Sequence, residues 1–181
     1  AVLNKAGREL ARNRDTAGDD PIVDFVAPLD GEYTIVVYDF TYGGGPEYCY
    51  RLLVHSAPQV DFVFPPSGTP GQQGPFTIYG RNLPGGQASG LMLSGAPLEK
   101  VSVNIPVPND PVARQQLAVG SLVLPRSSFL DGFEYRLASP QGAANPVRIG
   151  IAEQPLMLET EPNDTPDKAQ KITVPAEVAG Q

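Results

Sequence analysis

The segment FPPSGTPGQQGPFTIYGRNLPGG, residues 64–86, decides the class of fold. Its first half sets Pro and Gly too densely for a helix, because Pro removes a backbone donor and Gly weakens a helix interior. Phe76, Thr77, Ile78 and Tyr79 then make an aromatic and β-branched run, and GRNLPGG ends it in another turn. The pattern repeats outward. Downstream, strands are expected over residues 90–93, 101–105, 117–124, 134–138 and 147–151. Upstream, a short strand is expected at 22–26, and an Asp30-Gly31 turn leads into TIVVYDF at 34–40. After the loop TYGGGPE comes YCYRLLVH at 48–55. In that run Tyr48, Tyr50, Leu52 and Val54 share one face, and Cys49, Arg51, Leu53 and His55 share the other. The upstream part reads as a β-meander and the downstream part as a β-sandwich.

Composition agrees. The 181 residues include 19 Gly and 20 Pro, with 41% hydrophobic and 18% charged residues, which is globular but hostile to long helices. An all-helical fold is excluded. Two short segments stay open: residues 3–12 (LNKAGRELAR) suit an amphipathic helix or a hairpin turning at Lys5-Ala6-Gly7. Residues 110–118 suit a loop or a single turn capped by Asp110. Near the end, Thr165 and Pro166 read as the start of a helical turn, and a strand is expected at 171–174 with nothing to pair against.

Thirteen Lys and Arg against 20 Asp and Glu give a net charge of −7, so no basic stripe serves a nucleic acid. No apolar run reaches membrane-spanning length, so no membrane span is expected and the fragment is expected to be soluble. One Cys and one His, Cys49 and His55, make neither an intrachain disulfide nor a Cys/His zinc cage. The chain opens on Ala1-Val2-Leu3 as if inside a strand and reads as an excised piece of something longer.

Three segments carry a resemblance. GRELARN (7–13), DPIVDFVAPLDGEYTIVVYDF (20–40) and GGGPEYCYRLLV (43–54) together resemble the second half of a bacterial pre-peptidase C-terminal domain. The stretch APQVDFVFPPSGTPGQQGPFTIYGRNLPGG (57–86) resembles the opening of an Ig-like domain of the IPT/TIG type, with its I-x-G-x-N-L strand end at Ile78, Gly80, Asn82 and Leu83. ETEPNDTPDKAQKITVPAEVAGQ (159–181) is similar to the first strands of another pre-peptidase domain. The ensemble resembles large secreted or surface proteins of planctomycete-type bacteria.

The resemblance implies an all-β chain: a partial jelly-roll-like sandwich over 1–57, an Ig-like sandwich over 58–152, and a linker with the first strands of a second module over 153–181. Because each module is incomplete, 159–181 is expected to complement the half-module at 1–57, within the chain or by strand exchange with a neighbour.

The main candidate site is Glu159, Glu161, Asn163 and Asp164. In an extended segment the first three project to one side, and Asp164 adds a fourth oxygen from the following turn. Such hard donors suit Ca²⁺ better than zinc. In collagen-binding relatives of the resembled family, the matching Glu-x-Glu-x-Asn-Asp segment supplies calcium ligands. The plain alternative is a solvated acidic linker with a helix cap, and Asn163-Asp164-Thr165 is also a glycosylation sequon. Asp15, Asp19, Asp20 and Asp24 form a second acidic group, read either as a cation site or as ordinary turn residues. Tyr38, Tyr42, Tyr48 and Tyr50 surround the Gly43–Gly45 loop and serve either as a stacking platform or as packing at a sandwich end.

Catalysis finds little support. No G-x-S-x-G elbow occurs, and GGQASG and LSGAP do not match one. His55 has only the adjacent Ser56 beside it. Cys49 reads as a small core hydrophobe, and the triple glycine lacks the Lys-Ser/Thr of a phosphate loop. The expectation is a non-catalytic structural or binding module of a secreted or cell-surface protein, docking to an extracellular polymer or surface protein. The alternative is an accessory or processed propeptide region of a secreted peptidase.

Overall fold

The computed structural model describes residues 1–14, 21–39, 41–93, 95–110 and 131–180, and every regular element among them is a β-strand. The chain is all-β, and it divides into two units, Ala1–Leu53 and Val54–Gln181.

The first unit is built on a hairpin of β1 (Val2–Asn4) and β2 (Glu9–Ala11). This resolves the open reading of residues 3–12 in favour of the turn. The Asn4 side-chain oxygen accepts from the Ala6 and Arg8 amides at 3.0 and 2.9 Å, and Gly7 takes φ 78°. An Asx side chain that occupies two local amides competes directly with the helix ladder. β3 (Tyr33–Ile35) joins the other side of β1, giving the antiparallel order β2-β1-β3.

Here the sequence expectation was too generous. Residues 22–26 form no strand, the described part of the 34–40 run, residues 34–39, contributes only to β3, and residues 48–55 join no ladder. The face of the 48–55 run formed by Tyr48, Tyr50, Leu52 and Val54 is apolar, and a strand with such a face needs apolar cover against it. A three-strand sheet whose only buried hydrophobic residue among those described is Val2 does not supply it. Cys49 is accordingly exposed and not a core residue.

In the second unit a four-stranded antiparallel sheet runs in the order β4-β6-β8-β7. Its members are β4 (Gln59–Phe64), β6 (Gln73–Arg81), β7 (Gln87–Leu93) and β8 (Ala96–Pro106). Opposite it, β5 (Ser67–Gly68), β9 (Gly132–Tyr135) and β10 (Val147–Ile151) make a sheet of order β5-β10-β9. The two share one core, in which Phe76 and Ile105 of the first sheet pack with Phe133, Ile149 and Ile151 of the second. A second cluster, Val60, Ile78, Leu83, Leu137 and Ala144, continues it. Two sheets closed on interleaved apolar side chains are a β-sandwich.

The I-x-G-x-N-L segment supplies much of this geometry. Ile78 is fully buried, and Gly80 lies where a Cβ would run into the Gln59 carbonyl. The close approach lets β4 bulge between Val60 and Phe62, with Phe62 stacked on Tyr79 at 4.5 Å. Asn82 turns the chain at φ 54° and bonds the Ser56 carbonyl, while the Leu83 amide donates to Glu99 at 2.7 Å. Pro75 is tolerated in β6 because β4 pairs only with Thr77–Arg81, leaving that end of β6 an edge.

The ladders extend the expected strands: 76–79 grows to β6 and 101–105 to β8, while 134–138 shifts to β9. The strand expected at 117–124 and the segment 111–118 fall outside the described residues. The strand expected at 171–174 is absent. Instead β12 (Glu177–Ala179) forms beyond Pro175 and pairs in parallel with β11 (Leu156–Leu158), so the C-terminal strand has a partner within its own unit. All three strands of the first unit's sheet come from that unit, so the intrachain completion expected of 159–181 is not the pairing observed. No helix among the described residues is long and apolar enough to cross a membrane.

Candidate functional site

The segment carrying Glu159, Glu161, Asn163 and Asp164 leaves β11 and returns to β12. The Glu159 amide donates to the Ala179 carbonyl at 2.8 Å, extending the parallel ladder by one rung and fixing where its side chain projects. From there Glu159 Oε1 accepts from Asn163 Nδ2 at 2.8 Å, and Glu161 Oε2 accepts from the Asn163 amide at 2.9 Å. Glu159 and Asn163 are half-buried, whereas Glu161 and Asp164 are exposed.

Across the loop, Gln170 bonds two backbone groups at once. Its Nε2 donates to the Leu158 carbonyl at 3.0 Å and its Oε1 accepts from the Thr160 amide at 2.8 Å. A side-chain amide placed this way acts as one residue of a strand partner. Between these groups lies an open cavity of about 250 Å³, lined by Glu159, Asn163, Ala169, Gln170, Ile172 and Val178. The turn expected at Thr165 is present as a single turn, closed by the Lys168 amide on the Thr165 carbonyl at 2.9 Å.

The oxygen-rich donor set suits a hard cation, but the arrangement is that of a hydrogen-bonded clasp. Asn163 turns its amide nitrogen to Glu159, and among the described residues no three His, Cys, Asp or Glu side chains gather as a metal-holding group. No buried side-chain nitrogen or oxygen among them lacks a partner. Of the second acidic group, Asp15, Asp19 and Asp20 lie outside the described residues.

The tyrosines divide. Tyr38 and Tyr42 stack with centroids 5.6 Å apart and planes 6° from parallel, and the Arg12 guanidinium sits 5.6 Å from the Tyr38 ring centroid. Asp39 shapes the loop between them, accepting from the Thr41 amide at 2.9 Å and the Gly43 amide at 3.2 Å. Tyr48 lays its hydroxyl against Gly43, and Tyr50 is 72% exposed. Arg12 is itself held by Glu9 at 2.6 Å. The hydrogen bond from Arg12 lowers the Glu9 carboxyl below its ordinary value, and its counterpart raises Arg12. An aromatic pair with a cation over one face is a platform for flat or ring-bearing ligands.

His55 Nδ1 accepts from the Ala57 amide at 3.1 Å, and the neighbouring Ser56 carbonyl takes the Asn82 side chain. The part played by Gln170 and the placement of Arg12 over Tyr38 are not legible in the sequence. Both depend on contacts between residues 10 or more apart, which no local pattern encodes. No protein-family model, no curated protein and no solved structure matches this chain.

Proposed function

We propose that the chain is a non-catalytic structural and binding module of a secreted or cell-surface bacterial protein, in which an Ig-like sandwich serves as a spacer. The observation that carries this reading is the anchored exit of the sandwich. Ile151 ends β10 with its amide on the Asp131 carbonyl, and the Ala152 amide donates to Gly68 at 2.9 Å. The Glu153 amide then meets Glu177 Oε1 at 3.0 Å, and β11 begins at Leu156. An exit bonded at nearly every step transmits direction, which is what a spacer requires. The Glu159–Asn163 clasp and the Gln170 bracket continue the tie through the next loop.

The Tyr38–Tyr42 pair with Arg12 is the docking element of this reading, its partner an extracellular polymer or surface protein. Co-sedimentation of the chain with insoluble cell-wall polysaccharide and with extracellular protein fibres tests it. Retention on one of them, lost in Tyr38→Ala with Tyr42→Ala, is expected. Equal recovery of wild type and variant in the supernatant removes the docking role.

Calcium belongs to the same proposal as a reinforcement of the clasp. A cation there would be held by Glu159 and Asn163, with Glu161 and Asp164 beside them, and would supply charge to tie the loop. Calorimetric titration of Ca²⁺ into the chain, with Glu159→Gln as control, decides it. Heat abolished by the substitution is expected, and no heat in the wild type removes calcium while leaving the spacer role intact.

A further inference from the structure

Tyr42 is presented from a strained backbone. It takes φ 57°, in the left-handed region that favours glycine, although Gly43, Gly44 and Gly45 follow it directly. Asp39 holds it there. The Asp39 carbonyl accepts from the Tyr42 amide at 3.0 Å, and its Oδ1 accepts from the Thr41 hydroxyl at 2.5 Å and from the Thr41 and Gly43 amides. One face of the Tyr42 ring lies along Tyr38, yet the residue is 81% exposed, so the other face stands open to solvent. Strain spent on displaying an aromatic ring points to contact with a ligand.

The groups around the ring select the chemistry of that ligand. Three exposed carboxylates surround the platform and its loop: Glu9 on Arg12, Asp39 in the turn, and Glu47 folded back over Gly45. Arg12, the cation over Tyr38, already gives its Nε and Nη2 to Glu9. Such a rim repels a polyanion. A proline-rich strand, the peptide form that docks on aromatic side chains, offers carbonyls and few N–H groups, and here it meets mainly acceptors. A neutral sugar fits both features. The C–H face of a pyranose turns slightly positive hydrogens to the negative face of an aromatic ring, and its hydroxyl edge donates to carboxylates.

Resting on the reading of Tyr38 and Tyr42 as the docking element, we propose that the open face of Tyr42 is a stacking site for a neutral pyranose unit of a polysaccharide. Asp39 is the positioning residue, because it fixes the turn from which the ring projects. Tyr38 backs the ring on its covered face.

Native affinity electrophoresis of the whole chain tests this, in gels carrying hydroxyethylcellulose, galactomannan, dextran, alginate or gelatin. Retardation by a neutral polysaccharide is expected, with no effect of alginate or gelatin. Tyr42→Ala should weaken the retardation by about tenfold, whereas Tyr42→Phe, which keeps the ring face, should preserve it. Asp39→Ala should weaken it and Asp39→Asn, which keeps the Oδ1 acceptor, should not, a split that loss of fold would not produce. Equal effects of the two Asp39 variants overturn the positioning role. Retardation by a neutral polysaccharide that ignores Tyr42→Ala overturns the stacking site. Tyr42-dependent retardation by alginate or gelatin alone overturns the sugar and leaves the docking element standing, while no retardation by any polymer removes both.

Discussion

Asn145 shows how much a single side chain carries in this molecule. Its Oδ1 accepts from the Val60 amide at 2.7 Å and its Nδ2 donates to the Val60 carbonyl at 2.8 Å, so it stands in for a strand neighbour to a residue only 2% exposed. Asn145→Ala leaves both backbone groups of a buried residue unpaired and should cost about 2 kcal/mol, read as a lower denaturant midpoint. Tyr135 offers a pH signature. It packs against both core clusters, and burial raises its hydroxyl above the ordinary value of 10.0. A raised folded value means stability is full below the unfolded value and is lost as pH climbs through the folded one. Melts taken on both sides of that range should show an alkaline loss that Tyr135→Phe reduces; an equal loss in both proteins would refute the assignment. Neither role is visible locally, since Asn145 lies 85 residues from its partner.

Elements here are held at their irregularities. β4 bulges at Asp61, and that residue bonds Arg81 of β6 through both guanidinium contacts, at 2.7 and 3.3 Å. The side chains are 11% and 16% exposed, so the pair is largely desolvated. Arg81→Ala strands a nearly buried carboxylate and should cost about 2 kcal/mol, somewhat less than for a fully buried pair. Gly80→Ala acts on the same junction by a different route, pressing a methyl group into the β4 backbone. A loss of about 3 kcal/mol is expected by chemical denaturation, and a wild-type midpoint would contradict the close approach. The bulge was not legible in advance, although Gly80, which permits it, sits inside the I-x-G-x-N-L segment. The central strands were legible because alternation and bounding turns agree with the ladder. The run at 48–55 misled because alternation reports a capacity for pairing and says nothing of whether a partner exists.

Across the whole chain, burial is uneven. Among the described residues, Val2 is the only buried hydrophobic residue of Ala1–Leu53, whereas Val54–Gln181 holds the two core clusters. Hydrophobic burial is the dominant favourable term in folding, so protection should follow it. Hydrogen exchange is expected to find the slowest amides in β6, β8 and β10 and faster ones in β1–β3. Equal protection in the two units would contradict the burial pattern. Ile149→Ala, emptying a fully buried site, should lower the stability of the second unit by about 3–4 kcal/mol. The sequence by itself determined that the chain is all-β, because turn residues and β-branched runs act over a few neighbours and need no distant partner. Only the tertiary structure decided which runs become strands, that 159–181 pairs within its own unit, and that Glu159 and Asn163 meet as a clasp. Those outcomes depend on hydrogen-bond partners and apolar cover supplied from far along the chain, and local sequence contains neither.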